Sequence, residues 1–253
     1  MGVDVYDNLI LKKRNWISRW PKNKKTVMII SGGLDSVTTT ARLIQEQNIK
    51  IFPLHIERGQ SNLKAEIKSV DYFVELLRYR FPDHVAELKY IKLNIPPTEI
   101  KQNLAEYTKI HGHPLRDTML QMVAAQYAVS LDNSKYKIRT IFCAVMPEDY
   151  FPHSNLASIR ATNLAVCQNT NDWSWLVSSP NIDPFLTDKP VTKPDEIVWA
   201  AQNNIPIERT ISCNSATEDT NLLNCGICSS CKRRKKAFKQ AGVDDNTIYY
   251  SSK

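Results

Sequence analysis

The chain has 253 residues, 42% of them hydrophobic, which suffices for one large α/β domain with a small appendage. It contains no apolar run of about 18 residues, the length that a membrane helix needs, and we expect no signal peptide. These features argue against a membrane protein, and we expect a cytoplasmic one. The net charge of +7 favours anionic ligands such as ATP, pyrophosphate or RNA, although the basic runs also suit solvated faces.

Residues 1–25 are predicted to form an N-terminal extension. Its apolar residues recur at spacings that suit one face of a helix, which we expect to dock on the body of the protein. Pro21 is expected to end this helix. The residues of the expected apolar face are Leu9, Ile10, Trp16, Ile17 and Trp20.

Beyond residue 25, short apolar segments alternate with segments of helical periodicity. This alternation predicts a doubly wound, mostly parallel, Rossmann-like α/β sheet whose ligands lie at the carboxyl ends of the strands. We assign residues 26–209 to this domain and residues 210–253 to a small C-terminal module. The predicted strands span residues 26–30, 51–55, 88–93, 138–145 and 173–177. The predicted helices span residues 35–47, 66–79, 98–109, 116–131, 155–169, 195–203 and 232–240.

The segment between the first predicted strand and the first predicted helix has the composition of a phosphate-binding loop. Its glycines would let backbone N–H groups approach an anion, and the following helix would direct its positive end at the same point. The hydroxyls of Ser31 and Ser36 would add donors, and Asp35 would hold Mg²⁺. A plain connecting turn is the alternative. The residues expected to bind ATP here are Ser31, Gly32, Gly33, Leu34, Asp35 and Ser36.

This SGGLDS segment resembles the PP-loop of ATP pyrophosphatases. Enzymes of that superfamily split ATP between the α and β phosphates, adenylate a substrate oxygen and release pyrophosphate. The segment is not a Walker A loop, because no Gly-Lys-Ser/Thr follows it. His55, at the carboxyl end of the second predicted strand, is expected to lie in the same cleft and to contact ATP.

Four of the six cysteines lie close together near the end of the chain. In a cytoplasmic protein this spacing predicts a metal site and not disulfides. Four thiolates suit a tetrahedral, structural Zn²⁺, and an iron–sulfur cluster is the alternative. Cys143 and Cys167 are predicted to be small core residues. The expected metal ligands are Cys213, Cys225, Cys228 and Cys231.

The phosphate loop and the cysteine motif together resemble the 7-cyano-7-deazaguanine synthases of queuosine and archaeosine biosynthesis, the QueC family, over roughly residues 26–242. The resemblance implies an α/β enzyme with ATP, Mg²⁺ and a structural Zn²⁺. Family members activate the carboxylate of 7-carboxy-7-deazaguanine with ATP and form an amide with ammonia. They then dehydrate the amide to a nitrile with a second ATP.

Outside the phosphate loop, Arg116 and Lys193 match the family, whereas His153 stands where the family has an acid. Arg116 and Lys193 would neutralise pyrophosphate or the substrate carboxylate, with ordinary surface ion pairing as the alternative. His153 would hydrogen-bond the base or act as general base, with a structural role as the alternative. The expected catalytic residues are Asp35, Arg116, Lys193 and His153. The expected substrate-binding residues are Gly59, Gln60, Arg116, Phe151 and His153.

Four positions depart from the family pattern where we expect the substrate side: Ser61, Asn62, Asp117 and His153. The ATP and zinc motifs match, so we expect carboxylate activation to be kept and the attacking amine to have changed. Relatives from anti-phage defence operons, some of which attach a deazaguanine to a protein, suit this interpretation. A small-molecule deazapurine and a protein acceptor are therefore the expected partners.

Two other classes remain open. A PP-loop enzyme that thiolates or lysylates tRNA would suit the basic charge, but the chain lacks an RNA-binding appendage. A non-enzymatic nucleotide-binding protein is disfavoured by the intact SGGLDS segment. Nucleic acid as a partner is not favoured, and a homodimer is left open.

Overall fold

The computed structural model of the protein describes residues 2–133 and 137–250. Five parallel strands form one sheet in the order β3-β2-β1-β4-β5. No helix in these two ranges is both long enough and apolar enough to cross a bilayer. The strands are β1 (Lys25–Ile29), β2 (Lys50–Glu57), β3 (Lys89–Lys92), β4 (Thr140–Phe142) and β5 (Leu176–Ser178). The helices are α1 (Val3–Arg14), α2 (Leu34–Gln47), α3 (Leu63–Arg80), α4 (Thr98–Lys101), α5 (Ala105–His111), α6 (Arg116–Ser130), α7 (Leu156–Thr170), α8 (Lys193–Gln202) and α9 (Ser229–Ala241).

Helices cover both faces of the sheet, which confirms the predicted doubly wound α/β fold. The central strand β1 is buried on both sides, with Val27 and Met28 fully covered. Met28 belongs to a core built with α2, α3, α8 and α9, and Val27 belongs to a second core built with α6 and α7. This burial explains the uninterrupted apolar run of β1, since parallel strands lack a solvent face.

Several predicted elements differ from the structure in extent. The strand predicted over residues 138–145 is limited to β4, and the one predicted over residues 173–177 begins only at Leu176. The helix predicted over residues 98–109 is interrupted by a 3₁₀ turn at Gln102–Leu104. Neither α4 nor α5 buries a residue, so tertiary packing does not hold them together as one helix.

The N-terminal helix is shorter than the sequence suggested. It ends at Arg14, because Asn15 adopts the left-handed conformation with φ of 59°. The Arg14 side chain then donates a hydrogen bond to the carbonyl oxygen of Trp16 at 3.0 Å. The prediction that these apolar residues share one face of a single helix is therefore wrong. Ile10 lies on the helix, and Trp16, Ile17 and Trp20 lie beyond its end.

The N-terminal segment nevertheless docks on the body of the protein. Arg160 of α7 is fully buried and donates hydrogen bonds to Asp7 of α1 at 2.8 Å and to the Ser18 hydroxyl at 2.9 Å. The same guanidinium binds both oxygens of buried Asp183, at 2.8 and 2.9 Å. Because a buried charge is costly unless it is paired, this network strongly favours the docked position.

Candidate active site and metal centre

The SGGLDS segment forms a compact loop between β1 and α2. The Ser36 hydroxyl accepts a hydrogen bond from the Ser31 N–H at 3.2 Å and donates one to the Gly33 carbonyl at 3.1 Å. Gly33 is the N-cap residue, so α2 starts at Leu34 inside the loop. The positive end of α2 and the loop hydroxyls therefore face the same place, as an anion site requires.

Gly32 explains why this loop needs glycine. Its φ is +72°, and a Cβ at this position would lie 2.9 Å from the Glu66 carbonyl oxygen and 2.9 Å from Cβ of Ser69. The Gly32 carbonyl accepts hydrogen bonds from the Ser69 hydroxyl at 2.8 Å and from the Ile211 N–H at 2.9 Å. The loop is thus held from two sides, by α3 and by the segment that leads to the cysteines.

A cleft of about 330 Å³ opens beside the loop at the carboxyl ends of the strands. Loops after β1 and β4 and the start of α6 meet there, as the topology predicts. Seven residues expected at the site line it: Ser31, Gly33, Asp35, Ser36, Arg116, Asp117 and Phe151. The sequence reasoning did not assign Arg58, Asp149, Tyr150, Asn214, Ser230 and Arg233, which line it too.

Asp35 and Lys193 form an ion pair at the edge of this cleft. Asp35 lies in the first turn of α2, and Lys193 is the first residue of α8. Burial acts to lower the pKa of Lys193, but the neighbouring Asp35 carboxylate more than offsets this and raises the pKa. The lysine therefore stays protonated and is held by an acid of the phosphate loop.

A second carboxylate, Asp149, lines the cleft near Asp35. Burial raises the pKa of Asp149, and repulsion from Asp35 raises it further, while the Met146 N–H lowers it through a hydrogen bond of 3.0 Å. A divalent cation would offset the negative charge of two carboxylates that line the same cleft. Asp35 and Asp149 accordingly fit the ligand set that Mg²⁺ prefers, and the sequence reasoning did not assign Asp149.

Arg116 reaches the cleft from the start of α6. Its Nε donates to Asp117 at 2.7 Å, and the Ser154 hydroxyl donates to the other oxygen of the same carboxylate at 2.5 Å. The guanidinium lies 6.0 Å from the centroid of the Phe151 ring. Asp117 therefore orients Arg116 in the cleft, beside an aromatic surface that could contact a planar base.

Gly59 and Gln60 do not line the cleft, although both were expected to bind substrate. The Gln60 side chain accepts from the Arg58 N–H at 2.8 Å and donates to Glu66 at 2.6 Å. Glu66 in turn pairs with the Arg58 guanidinium at 3.4 Å. Gln60 thus supports Arg58, which is the residue of this turn that reaches the cleft.

Two histidines that were expected at the site are buried outside the cleft lining. His55 is 1% exposed, and its Nδ1 lies 2.9 Å from the Ile30 carbonyl oxygen. His153 is 7% exposed, and its ring stacks on Phe151 at a centroid distance of 5.5 Å. Burial lowers the pKa of His153, and the Arg116 charge lowers it further against the opposing effect of Asp117. His153 is therefore neutral and supports the Phe151 ring, while its direct contact with substrate stays a prediction.

Ser61 and Asn62 lie at the contact between α3 and the cysteine segment, not in the cleft. The Ser61 hydroxyl donates to the Asn214 carbonyl at 2.8 Å, and the Asn62 amide donates to the Cys213 carbonyl at 3.0 Å. The expectation that both belong to the substrate side is therefore wrong. Sequence proximity to Gln60 was misleading, because the chain turns away from the cleft after it.

The four cysteines of the C-terminal module converge, with all sulfur atoms within 4.8 Å of one another. Backbone N–H groups point at the sulfurs, from Cys225 to Cys213 at 3.3 Å and from Cys228 to Cys225 at 3.3 Å. Such donors stabilise thiolates, and four thiolates at this spacing fit one tetrahedral metal ion. The four expected ligands, Cys213, Cys225, Cys228 and Cys231, form one cluster that could hold a metal ion.

Comparisons with known proteins agree with this architecture. The profile of the family described as "Queuosine biosynthesis protein QueC" matches residues 25–242. A 7-cyano-7-deazaguanine synthase from Nautilia profundicola is 25% identical over 236 residues, covering 89% of this chain and 98% of the relative. One from Methanococcus maripaludis is 28% identical over 243 residues, covering 89% of this chain and 98% of the relative.

Among solved structures, an NMN synthetase from Francisella tularensis is similar with a TM-score of 0.34 and 16% identity, covering 83% of this chain and 97% of that chain. A likeness at this level says nothing about the activity of the present chain. The family match does show what the chain belongs to, because it covers most of the chain, from the first residue of β1 to Gly242 at the end of α9. It includes the phosphate loop, the cleft and all four clustered cysteines, and the chain therefore belongs to the QueC family.

Proposed function

We propose that this protein is an ATP-dependent ligase that adenylates the carboxylate of a 7-deazaguanine-type base, 7-carboxy-7-deazaguanine, and joins it to an amine. The observation that carries the proposal is the shared cleft. The phosphate loop and the side chains of Arg58, Arg116 and Arg233 all open into it. The three arginines could contact phosphates and a carboxylate, and three aspartates, Asp35, Asp117 and Asp149, line the same cleft. The relatives of this chain are 7-cyano-7-deazaguanine synthases.

In the first step a carboxylate oxygen of the base attacks the α-phosphorus of ATP, and pyrophosphate leaves. The loop N–H groups and the start of α2 bind the phosphates, and the arginines offset the charge of the departing pyrophosphate. Asp35 and Asp149 would hold Mg²⁺, which would withdraw charge from the phosphates. In the second step the amine nitrogen attacks the acyl carbon of the adenylate, and AMP leaves with formation of the amide.

The planar base would lie against Phe151, with Arg116 directed at its carboxylate. Their separation of 6.0 Å, from the guanidinium to the ring centroid, leaves both side chains available to one ligand. His153 stacks behind the ring and fixes its position. On this proposal Arg116 and Phe151 bind the base, Lys193 binds the triphosphate, and Asp35 acts on the triphosphate through Mg²⁺.

We assign Zn²⁺ to the cysteine cluster. Four protein ligands leave no open coordination position, so the metal would be structural. The cluster lies next to the phosphate loop through the Ile211–Gly32 hydrogen bond of 2.9 Å. An iron–sulfur cluster is the competing occupant, and its absorption would reveal it.

An amine on a partner protein is a second candidate acceptor in place of ammonia. It is supported by the surface beside the cleft, where α9 exposes a basic face and Tyr150 is 63% exposed. Arg233 connects the basic face of α9 to the cleft, because it lines the cleft and lies 5.5 Å from the Tyr150 ring. A small amine needs no such surface. The basic residues of this face are Lys232, Arg233, Lys235, Lys236 and Lys239.

Thiolation of tRNA receives less support from the cleft. Cys143 lines it, but burial raises the pKa of this thiol to about 12. A thiol of that pKa stays protonated at neutral pH and is a poor nucleophile. Cys167 is a buried residue of α7, and burial raises its pKa to about 11.

The test is mass spectrometry after incubation with 7-carboxy-7-deazaguanine, ATP, Mg²⁺ and ammonia, with and without proteins encoded by neighbouring genes. The amide or nitrile of the base is the expected product with ammonia. A deazaguanine-sized mass on a neighbouring protein would establish the protein acceptor. Efficient nitrile formation from ammonia alone would contradict the altered acceptor, and adenylation of tRNA would contradict the choice of substrate.

A further inference from the structure

The helices that carry Asp35 and Lys193 make a second contact one turn further along. Thr39 follows Asp35 by four residues on α2, and Glu196 follows Lys193 by three residues on α8. Residues at these spacings share one face of a helix. The Thr39 hydroxyl donates to Oε1 of Glu196 at 2.9 Å, so the two helices are joined by two successive contacts.

Asn181 joins this second contact to the sheet. Its side-chain nitrogen lies 2.8 Å from the Thr39 hydroxyl, 3.2 Å from Oε1 of Glu196 and 3.0 Å from the sulfur of Met146. Met146 follows β4 and Asn181 follows β5, so the contact ties the ends of two strands to both helices. We call Thr39, Asn181 and Glu196 the lower cluster.

The lower cluster differs from the ion pair above it in its burial. Thr39 is 1% exposed, and Asn181 and Glu196 are 0% exposed. Oε2 of Glu196 has no hydrogen-bond partner among the residues that the structure describes. Burial raises the pKa of Glu196, and the Asp35 charge raises it further against the opposing effect of Lys193. Lys193 forms its ion pair with Asp35 at the start of the two helices.

We infer that the lower cluster is a positioning element that sets where α8 presents Lys193 to Asp35 in the phosphate loop. The inference rests on the function proposed above. Lys193 begins its helix and has a long side chain, so the Asp35 contact alone would fix it poorly. The buried hydrogen bond between Thr39 and Glu196 fixes the register of the two helices and thereby the place of the ammonium.

The chain offers a matched pair of variants to test this. Thr38 and Thr39 are neighbours and both are buried, but the Thr38 hydroxyl has no partner among the described residues. Thr39→Val removes the donor to Glu196, whereas Thr38→Val removes a hydroxyl outside the cluster. Thr39→Ser keeps the hydroxyl and should restore the contact.

The first readout is the rate of pyrophosphate release with 7-carboxy-7-deazaguanine, ATP and ammonia. Thr39→Val should lower kcat about tenfold, because small displacements of a positioned group are costly, and should leave KM for the base unchanged. Thr38→Val and Thr39→Ser should behave as the parent protein. Equal kcat in Thr39→Val and Thr38→Val would overturn the inference. An equal loss of kcat in Thr39→Val and Thr39→Ser would overturn it too.

The second readout does not depend on the activity. Acetylation of the folded protein with an activated ester, followed by peptide mass spectrometry, reports how well Asp35 protects Lys193. Thr39→Val should lose this protection, while Thr38→Val keeps it. Unchanged labelling of Lys193 in Thr39→Val contradicts the positioning inference, whatever substrate the parent protein adenylates. A failure of this inference can therefore be distinguished from a failure of the proposed function.

A second pair of variants covers the case in which Thr39→Val does not fold. Glu196→Gln keeps an oxygen that can accept from Thr39, so it should keep the protection of Lys193. Glu196→Ala removes the acceptor and should expose Lys193 to acetylation. Equal labelling of Lys193 in these two variants would again overturn the inference.

Discussion

The N–H of Ile211 donates a hydrogen bond to the carbonyl oxygen of Gly32 at 2.9 Å. This bond joins the segment that leads to Cys213 directly to the phosphate loop. Asn62 donates to the carbonyl of Cys213 itself, at 3.0 Å, from the start of α3. The cysteine cluster and the phosphate loop therefore share a structural support, and a change in one should affect the other.

Removal of one thiolate should abolish both metal binding and activity. Cys228→Ser is expected to lose the single Zn²⁺ that elemental analysis should find in the parent protein, because four ligands are needed. Pyrophosphate release should fall with the metal content, since the metal centre supports Gly32. Ser229→Ala is the control in the same turn and should keep both. An iron-based visible absorption band in anaerobically purified protein would contradict the assignment of zinc.

Asp35→Ala should abolish pyrophosphate release and leave the fold intact. The Asp35–Lys193 pair is partly exposed, so its loss should cost about 0–1 kcal/mol in the free energy of unfolding. The catalytic loss is expected because Asp35 pairs with Lys193 and, on the proposed function, would also hold Mg²⁺. Glu46→Ala, which removes an exposed acid further along α2, is the control. Turnover of Asp35→Ala within a few-fold of the parent rate would refute the role of Asp35.

Gly32→Ala should lower the free energy of unfolding much more than the same change at another glycine of similar backbone conformation. Gly32 and Gly242 have φ of +72° and +66°, but only Gly32 has neighbours within contact distance of a Cβ. The backbone strain costs about 1–2 kcal/mol at either position. The overlap with Ser69 and Glu66 adds about 1–3 kcal/mol at Gly32. Urea unfolding measures both losses, and equal losses would show that the loop is not tightly held.

His153 should make stability depend on pH in a defined direction. Burial lowers its pKa in the folded protein, so the unfolded chain binds protons more readily near the ordinary histidine pKa of about 6.5. Stability is then fully present above that pH and is lost as the pH falls below it. His153→Gln should reduce this loss between about pH 7 and pH 5. His84→Gln, at a site where the ring bonds Asn48 at 2.7 Å, is the control.

If the pH dependence of unfolding is the same in His153→Gln as in the parent protein, His153 is not held neutral by its surroundings. Its pKa is lowered also by Arg116, so the variant Arg116→Gln should show a smaller dependence as well. Burial lowers the pKa of His113 too, and Arg116 contributes there in the same direction. The measurement must therefore compare single variants and not the parent protein alone.

Local patterns in the sequence predicted the parts of the site that are local in the chain. The SGGLDS segment predicted its own loop, because strand, glycines and helix follow one another directly. The cysteine spacing likewise predicted a convergent cluster, since three of the four ligands, Cys225, Cys228 and Cys231, lie within seven residues. The apolar segment at residues 26–30 likewise predicted the strand that became β1.

Residues that reach the site through tertiary packing could not be assigned in this way. Arg58, Asp149 and Arg233 come from three separate segments, and only the folded sheet brings them to one cleft. Conversely, Ser61 and Asn62 are near Gln60 in sequence but bond the cysteine segment. The early end of α1 depends on the left-handed Asn15, which apolar periodicity does not reveal.

The most direct measurement of the central claim is exchange of radiolabelled pyrophosphate into ATP in the presence of 7-carboxy-7-deazaguanine and Mg²⁺, without any amine. Reversible adenylation of the base requires this exchange, and it does not depend on which acceptor follows. We predict exchange that requires the base and that disappears in Asp35→Ala. Exchange that proceeds equally without the base, or none in the zinc-loaded parent protein, would contradict the assignment of a carboxylate-adenylating ligase.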